Sequence, residues 1–422
     1  MEQCNPEWPS VPRVAWNLYR HLAREAEVTL VTHERNREAI HNQPSHGEVH
    51  FIEESSWLKA YYRRMDGLSR IGGMNWPLRH AISYPVFADF DKRSYLAFKQ
   101  PVEQGNYDAV MATTPILPRY PYSLVKACAH TPFILGPVNG GIPFPKGFPE
   151  IAKKEFAHFN HLRALGKLIP GYRNTYQQAD LIFSGSTWTR NWIQKTFRVP
   201  DQRLALLWEN GVDAPFFRLQ APTLSTRSSV RLLFAGRLVP YKGADMLIEA
   251  ISRLIPLHRH QIQLDIVGDG PERQNLKKQI SKLNLENTIH FRGMVAPEKM
   301  PEVFQQADIF CFPSVREFGG AVVMEAMAGG LPCIVADHGG IGEYVTEKTG
   351  IKISPDNREK LVTGLTDAIE CLVSRPDFRI QLARESWMRA QSFTWSAKSR
   401  QILQRIETVI NLTRNGSAKT AA

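Results

Sequence analysis

The stretch VREFGGAVVMEAMAGGLPCIVA, Val315 to Ala336, decides how this chain is read. Gly319 and Gly320 form a pair that can open a helix. Glu317 stands just before it, and Glu325 is expected about two turns inside. Backbone N–H groups freed at a helix start attract phosphate, and two residues without Cβ let it approach closely. A carboxylate on either side of that phosphate can grip hydroxyl groups. The pattern suits a ligand with sugar-like groups at both ends of a diphosphate, such as a nucleoside-diphosphate sugar. The plainer alternative is a solvated helix carrying two glutamates at a common spacing.

Around this stretch the chain alternates apolar runs with longer amphipathic segments, the pattern of parallel strands joined by helices. In the first half the strand candidates are Val28–Thr32, Val49–Glu53, Ala109–Thr113, Pro132–Gly136, Leu181–Gly185 and Leu204–Trp208. In the second half they are Arg231–Gly236, Gln263–Gly270, Ile289–Met294, Asp308–Ser314 and Cys333–Asp337. Strands this uniformly apolar are buried on both faces, so each half is expected to be a doubly wound α/β sheet. Pro215–Ser229 is polar and aperiodic, as a linker should be. Open sheets of this class bind ligands beyond the carboxyl ends of their strands, where Arg237, Gly293 and the Glu317 segment all fall.

At 422 residues the chain suits two domains rather than one core. A content of 43% hydrophobic and 22% charged residues matches a soluble globular protein, and no apolar run approaches the roughly 20 residues that span a bilayer. The first residues, MEQCNPEWPSVPR, have neither the basic start nor the apolar core of a secretory signal, so a cytoplasmic location is expected. Five cysteines, Cys4, Cys128, Cys311, Cys333 and Cys371, lack any metal-ligand spacing, and neither a disulfide framework nor a bound metal is expected. The net charge of +11 is spread evenly, +5 before residue 214 and +6 after it, which gives no support to a nucleic-acid groove. Trp57–Arg70, WLKAYYRRMDGLSR, mixes aromatic and basic residues. It reads either as a partly buried helix or as peripheral contact with the inner face of a membrane.

After the strand RLLFAG comes GRLVPYKG, with Gly236 and Arg237 at the strand exit and Lys242 close to the next helix. An Arg fork and a Lys point charge there can neutralise a diphosphate and stabilise it as it departs. The segment IVGDGPE, Ile266–Glu272, lacks the full dinucleotide pattern and reads as a tight turn. FRGMV, Phe291–Val295, offers Gly293 and Val295 as backbone contacts for a base, although a plain Gly turn explains it equally well.

GRLVPYKG, VGDGPE, FRGMV and EFGGAVVMEAMAGGLPCIVADHGGIGEYV, in this order, resemble the C-terminal domain of group 1 glycosyltransferases, family 4, with the GT-B fold. ENGVD, Glu209–Asp213, is similar to the turn ending that family's N-terminal domain. The resemblance implies two Rossmann-like doubly wound domains facing a cleft, with a C-terminal helix crossing back to the first. The implied boundaries are an acceptor-binding domain at 1–213 completed by helix 396–415, a nucleotide-sugar domain at 214–395, and a tail at 416–422. It implies hexosyl transfer with retention from a UDP- or GDP-sugar, without a cofactor, to a polysaccharide, lipid-linked or small-molecule acceptor in cell-envelope or exopolysaccharide biosynthesis. Carried over by residue, Arg237 and Lys242 contact the diphosphate and Glu317 the transferred sugar. Glu325 holds the ribose, and the amides of Gly319, Gly320 and Ala321 complete the cradle. The family's aromatic is displaced by one position here, to Phe318.

On the acceptor side the resemblance is weaker. The family begins with a strand and a Gly-rich loop, whereas this sequence opens at NPEWPSVPR, with Ser10 to Arg13 in place of the loop, so the first strand is expected to be missing. Asn139, in GPVNGGIPFP, stands where the family carries a cleft histidine. The final stretch, Phe393–Leu412, is expected to be an amphipathic helix capped by Ser396. A donor-binding scaffold subunit with impaired catalysis is the competing reading, and the absent strand is its support.

Overall fold

The computed structural model describes residues 1–44, 46–69, 83–116, 120–155, 168–224 and 227–415. The end of the Trp57–Arg70 tract at Arg70 and the tail from 416 lie outside the described residues. The chain divides into two compact units: Met1–Gly141, His158–Glu209 and Lys398–Ala422 in the first, Ile142–Ala157 and Asn210–Ala397 in the second.

In the first unit, α1 (Val11–Leu22) precedes β1 (Thr29–His33) and β2 (Glu48–Ile52), which pair in parallel. The tract beginning at Trp57 forms α2 (Ser56–Ser69), whose Trp57 is 64% exposed. A separate parallel sheet runs in the order β3 (Val110–Ala112), β4 (Phe133–Val138), β5 (Leu181–Ser184), β6 (Leu204–Leu206). Strands β4 and β5 are buried along their whole length, as continuous apolar runs require. Their core gathers Phe133, Leu135, Ile182 and Phe197, while a second cluster packs Ala15, Trp16 and Tyr19 of α1 against Leu30 of β1.

The second unit holds one six-stranded parallel sheet made of β7 (Val230–Ala235), β8 (Ile262–Val267), β9 (Ile289–Gly293), β10 (Ile309–Phe312), β11 (Cys333–Ala336) and β12 (Gly350–Ile353). Its order is β12-β11-β10-β7-β8-β9. Eleven of these twelve strands fall on expected runs; β12 does not. The sequence direction reverses between β7 and β10, and the loops leaving those two strands therefore part to opposite sides and open a crevice. Helix α3 (Ala321–Ala328) follows β10, and α4 (Trp395–Arg414) ends the described chain. From Lys398 onward α4 is part of the first unit.

Two expectations are corrected. The cap of α4 is Thr394, whose Oγ1 accepts from the Ala397 amide at 3.2 Å, because the helix already starts at Trp395 and encloses Ser396. Glu325 is the fifth residue of α3, little more than one turn in, because the helix starts at Ala321.

The IVGDGPE turn has a structural task. Gly268 adopts φ +123°, and a Cβ built there would meet the Gly236 carbonyl at 2.0 Å; one on Gly270 would meet that of Leu238 at 2.3 Å. The Leu238 amide donates to the Asp269 carbonyl at 2.9 Å, and the Gly268 amide to that of Gly293 at 2.8 Å. These bonds lace three strand exits together and fix the loop that carries Arg237. Gly268→Ala is expected to cost about 1–3 kcal/mol in urea unfolding, because alanine keeps neither that backbone angle nor that approach.

Candidate functional site

The site is built at the point where the strand order reverses. The loop leaving β7 supplies Arg237, which is exposed, and then a short turn, Pro240–Lys242, that ends in Lys242. The loop leaving β10 supplies Ser314, Arg316 and Glu317. Lys242 Nζ donates to Glu317 Oε2, and the two side chains are 14% and 16% exposed. The ammonium also lies 4.8 Å from the Phe312 ring centroid, and Ser314 Oγ donates to the same Glu317 oxygen at 3.5 Å. Two residues 75 positions apart are thus locked as a pair at the sheet edge.

Immediately beyond it, Gly320 caps α3 in the left-handed region at φ 45°, ψ 48°, and its own side chain space is already taken. A Cβ on Gly320 would lie 2.4 Å from Ile341 Cγ2 and 2.9 Å from Glu317 Cγ. The Gly319 carbonyl accepts from the Tyr344 hydroxyl at 2.6 Å, which fixes the entry to the helix. Of the first-turn amides, that of Val323 donates to the Gly320 carbonyl at 3.0 Å, and those ahead of it carry the partial positive charge of a helix start. Glu325 is half-buried, with protein atoms crowding its carboxyl. Burial pushes its pKa up from 4.5 to about 7, and the Asp213 charge adds to the rise. Gly293, at φ +70°, and Val295 stand at the exit of β9.

Sequence reasoning missed three neighbours. The Arg316 guanidinium lies over the rings of Phe144, at 4.6 Å, and Phe318, at 5.2 Å, and its buried Nε has no hydrogen-bond partner among the described residues. Burial lowers its pKa, against the pull of Tyr241, Glu155 and Glu317. Burial raises the pKa of Glu155, while Arg237 and Arg316 act to lower it. Phe144 and Glu155 come from Ile142–Ala157, which the structure assigns to the second unit, where His338 Nε2 also pairs with the Pro143 carbonyl at 2.8 Å. A segment between two strands of the other unit carries no periodicity that announces such a transfer. Arg316 was the legible one, since it adjoins Glu317.

The residues expected on the acceptor side lie in the first unit. Ser10 precedes α1 with φ 66°, its hydroxyl makes no cap bond, and Arg13 is exposed on the first turn. Asn139 is 1% exposed and belongs to an internal network: its Nδ2 donates to Glu209 Oε2 at 2.7 Å, and its Oδ1 accepts from Ser186 and Thr189, each at 3.0 Å. Lys398 of α4 donates to the Trp208 carbonyl beside this network, and burial lowers its pKa to about 8 while Glu209 opposes the fall.

Residues 220–382 match the family model of group 1 glycosyl transferases. The fold is that of the GT-B glycosyltransferases. An uncharacterized glycosyltransferase of Methanocaldococcus jannaschii is 29% identical over 205 residues, covering 46% of this chain and 52% of that protein. The D-inositol 3-phosphate glycosyltransferase of Corynebacterium glutamicum is 30% identical over 175 residues, covering 40% of this chain and 41% of its own. The matches therefore span about half or less of the length of these curated relatives. The crystal structure of HepE from Anabaena, in complex with UDP, superposes with a TM-score of 0.61 at 16% identity, covering 93% of this chain and 95% of HepE. Among the described residues no helix is long and apolar enough to cross a membrane.

Proposed function

We propose that the protein is a retaining glycosyltransferase that moves a hexosyl group from a UDP- or GDP-sugar to a polysaccharide, lipid-linked or small-molecule acceptor in cell-envelope or exopolysaccharide biosynthesis. The observation that carries this reading is the Lys242–Glu317 pair, set where the sheet order reverses and directly ahead of the α3 amides. Arg237 and Lys242 hold the donor diphosphate, and the first-turn amides from Ala321 share its charge. Arg316, a half-buried cation beside Glu317, adds to the same field.

When the glycosidic bond to the diphosphate breaks, negative charge grows on the departing phosphate. The fixed cations stabilise it without having to reorganise. Glu317 lies within reach of the transferred sugar and steadies the positive charge developing at its anomeric carbon. The departing phosphate takes the acceptor hydroxyl proton on the face it leaves, so configuration is retained. Positioning and charge stabilisation supply most of the rate. Ser10 and Arg13 are assigned to the acceptor side, whereas Asn139 is enclosed by Glu209, Ser186 and Thr189. Peripheral contact with an anionic membrane through α2 is the companion proposal, supported by the exposed Trp57 on a basic helix.

The direct test is release of nucleoside diphosphate from UDP-glucose and GDP-mannose across an acceptor panel, with the product anomer read by proton NMR. Turnover should appear with retained configuration and vanish in Glu317→Ala. Unchanged release in that variant contradicts the assignment. Binding without turnover on any acceptor favours the scaffold reading.

Glu325 gives the site a pH dependence. A carboxylate can accept from both ribose hydroxyls, whereas the protonated form spends one oxygen as a donor. Below about pH 7 binding must expel that proton, so UDP-glucose affinity should rise roughly tenfold between pH 6 and pH 8 and then level off. The fold should respond in the opposite sense. A folded-state pKa raised from 4.5 to about 7 favours the native state fully below pH 4.5, and that contribution is lost as pH climbs towards 7. Calorimetric titration of Glu325→Gln should give a flat affinity profile; a profile parallel to the parent protein's rules this role out.

A further inference from the structure

The loop that opens α3 is held from behind by a second loop, Asp337–Tyr344, of the same unit. The Glu317 carbonyl accepts from the Gly340 amide at 3.2 Å, and the Gly319 carbonyl from the Tyr344 hydroxyl at 2.6 Å. Two glycines make so close an approach possible. A Cβ on Gly339 would lie 2.2 Å from the Glu317 carbonyl oxygen, and one on Gly340 would lie 2.2 Å from that of Phe318 and 3.0 Å from the Tyr344 hydroxyl. Tyr344 itself is fully buried. Its ring packs on Phe393 with centroids 6.1 Å apart, and its carbonyl accepts from Arg389 Nε at 2.8 Å, so the hydroxyl is aimed by a side chain and a backbone that are both held.

That hydroxyl fixes more than a carbonyl. In a planar trans peptide the C=O and the N–H that follows it point in opposite directions. Holding the Gly319 oxygen towards Tyr344 therefore turns the Gly320 amide away from Tyr344. Among the described residues no acceptor meets that amide. Gly319 and Gly320 carry no side chains to resist the reverse orientation, in which the oxygen and the N–H change places. The reversed peptide would offer a carbonyl oxygen where a phosphate needs a donor. Selection between the two orientations falls to the Tyr344 hydroxyl.

We propose that Tyr344 is a positioning residue of the donor site: its hydroxyl holds the Gly319–Gly320 peptide in the orientation that presents the Gly320 amide to the diphosphate of the nucleotide. The inference rests on the nucleotide-sugar reading given above. It adds to that reading a buried residue that touches no substrate and acts through one peptide unit.

Tyr344→Phe tests it, because the substitution removes the hydroxyl and keeps the ring against Phe393. In calorimetric titrations with UDP and GDP, the nucleotide that binds the parent protein should bind the variant roughly tenfold more weakly or worse, since a charge-assisted hydrogen bond is lost. Proton–nitrogen correlation spectra of glycine-labelled protein supply the second readout. On addition of the nucleotide the Gly320 amide proton should move downfield in the parent protein, as donation to a phosphate oxygen requires, and should move far less in the variant. Placing para-aminophenylalanine at position 344, which restores a donor there, should recover most of the lost affinity. An affinity within about twofold of the parent's, the same Gly320 shift in both proteins, or no recovery with the restored donor overturns the proposal, even where Tm falls, because a tyrosine that only packs would lower Tm and leave the amide's response alone. A parent protein that binds neither nucleotide overturns the nucleotide-sugar reading, and this inference with it.

Discussion

Lys242→Ala is expected to lower kcat/KM for the nucleotide sugar by roughly 10²–10³-fold, about 3–4 kcal/mol of transition-state stabilisation. The proposed role gives one side chain so large an effect because of how it is held. Lys242 is held against Glu317 and over the Phe312 ring, so its charge is fixed before any donor arrives. In the proposed role, its removal would deprive the departing diphosphate of a cation that needs no reorganisation. It also leaves the Glu317 carboxylate, 16% exposed, without its ammonium partner and with a long hydrogen bond from Ser314 Oγ at 3.5 Å. Some stability is therefore lost with the activity. Steady-state kinetics well below Tm separate the two effects, and Lys242→Arg should recover only part of the rate, since a planar fork does not reproduce a point charge. A rate within threefold of the parent would remove Lys242 from the chemistry.

Gly320→Val should act through geometry rather than charge and be as severe. A left-handed residue costs an L side chain about 1–2 kcal/mol, and overpacking adds about 1–3 kcal/mol. The Cβ position is only 2.4 Å from Ile341 Cγ2 and 2.9 Å from Glu317 Cγ, so relief requires Glu317 or α3 to move. Both movements spoil the arrangement proposed to face the donor. Urea unfolding should show a loss of about 2–5 kcal/mol, and turnover should fall below a thousandth of the parent's at a temperature where the variant remains folded. Gly320→Asn, whose side chain tolerates the left-handed region better, should lose less stability than Gly320→Val yet remain impaired in turnover.

The sequence announced these features unevenly, for physical reasons. The strands through Leu233, Ile266, Phe310 and Ile334 were legible because burial on both faces demands unbroken apolar runs. Glycine did the same for the α3 cap, since few residues accept φ 45° in so tight a place. Strand β12, Gly350–Ile353, escaped because four residues at a sheet edge, one of them Lys352, make no such run. Thr394 and Ser396 both offered a capping hydroxyl, and only the backbone's turn at Thr394 decides between them. Glu155 and Phe144 could not be placed beside Arg316 from the sequence, because Ile142–Ala157 leaves the unit that its flanking strands belong to. Asn139, which stands where the resemblance implies a cleft histidine, serves a buried network with Glu209, Ser186 and Thr189 that only the fold brings together.

The central claim is that Arg237, Lys242 and the start of α3 form a nucleoside-diphosphate site. It is tested most directly by calorimetric titration of UDP and of GDP into the parent protein and the Arg237→Ala/Lys242→Ala double variant. The account predicts that one of the two nucleotides binds the parent protein and that the double variant binds it at least 100-fold more weakly while keeping the parent's circular dichroism spectrum. Equal affinity in the two proteins would contradict it.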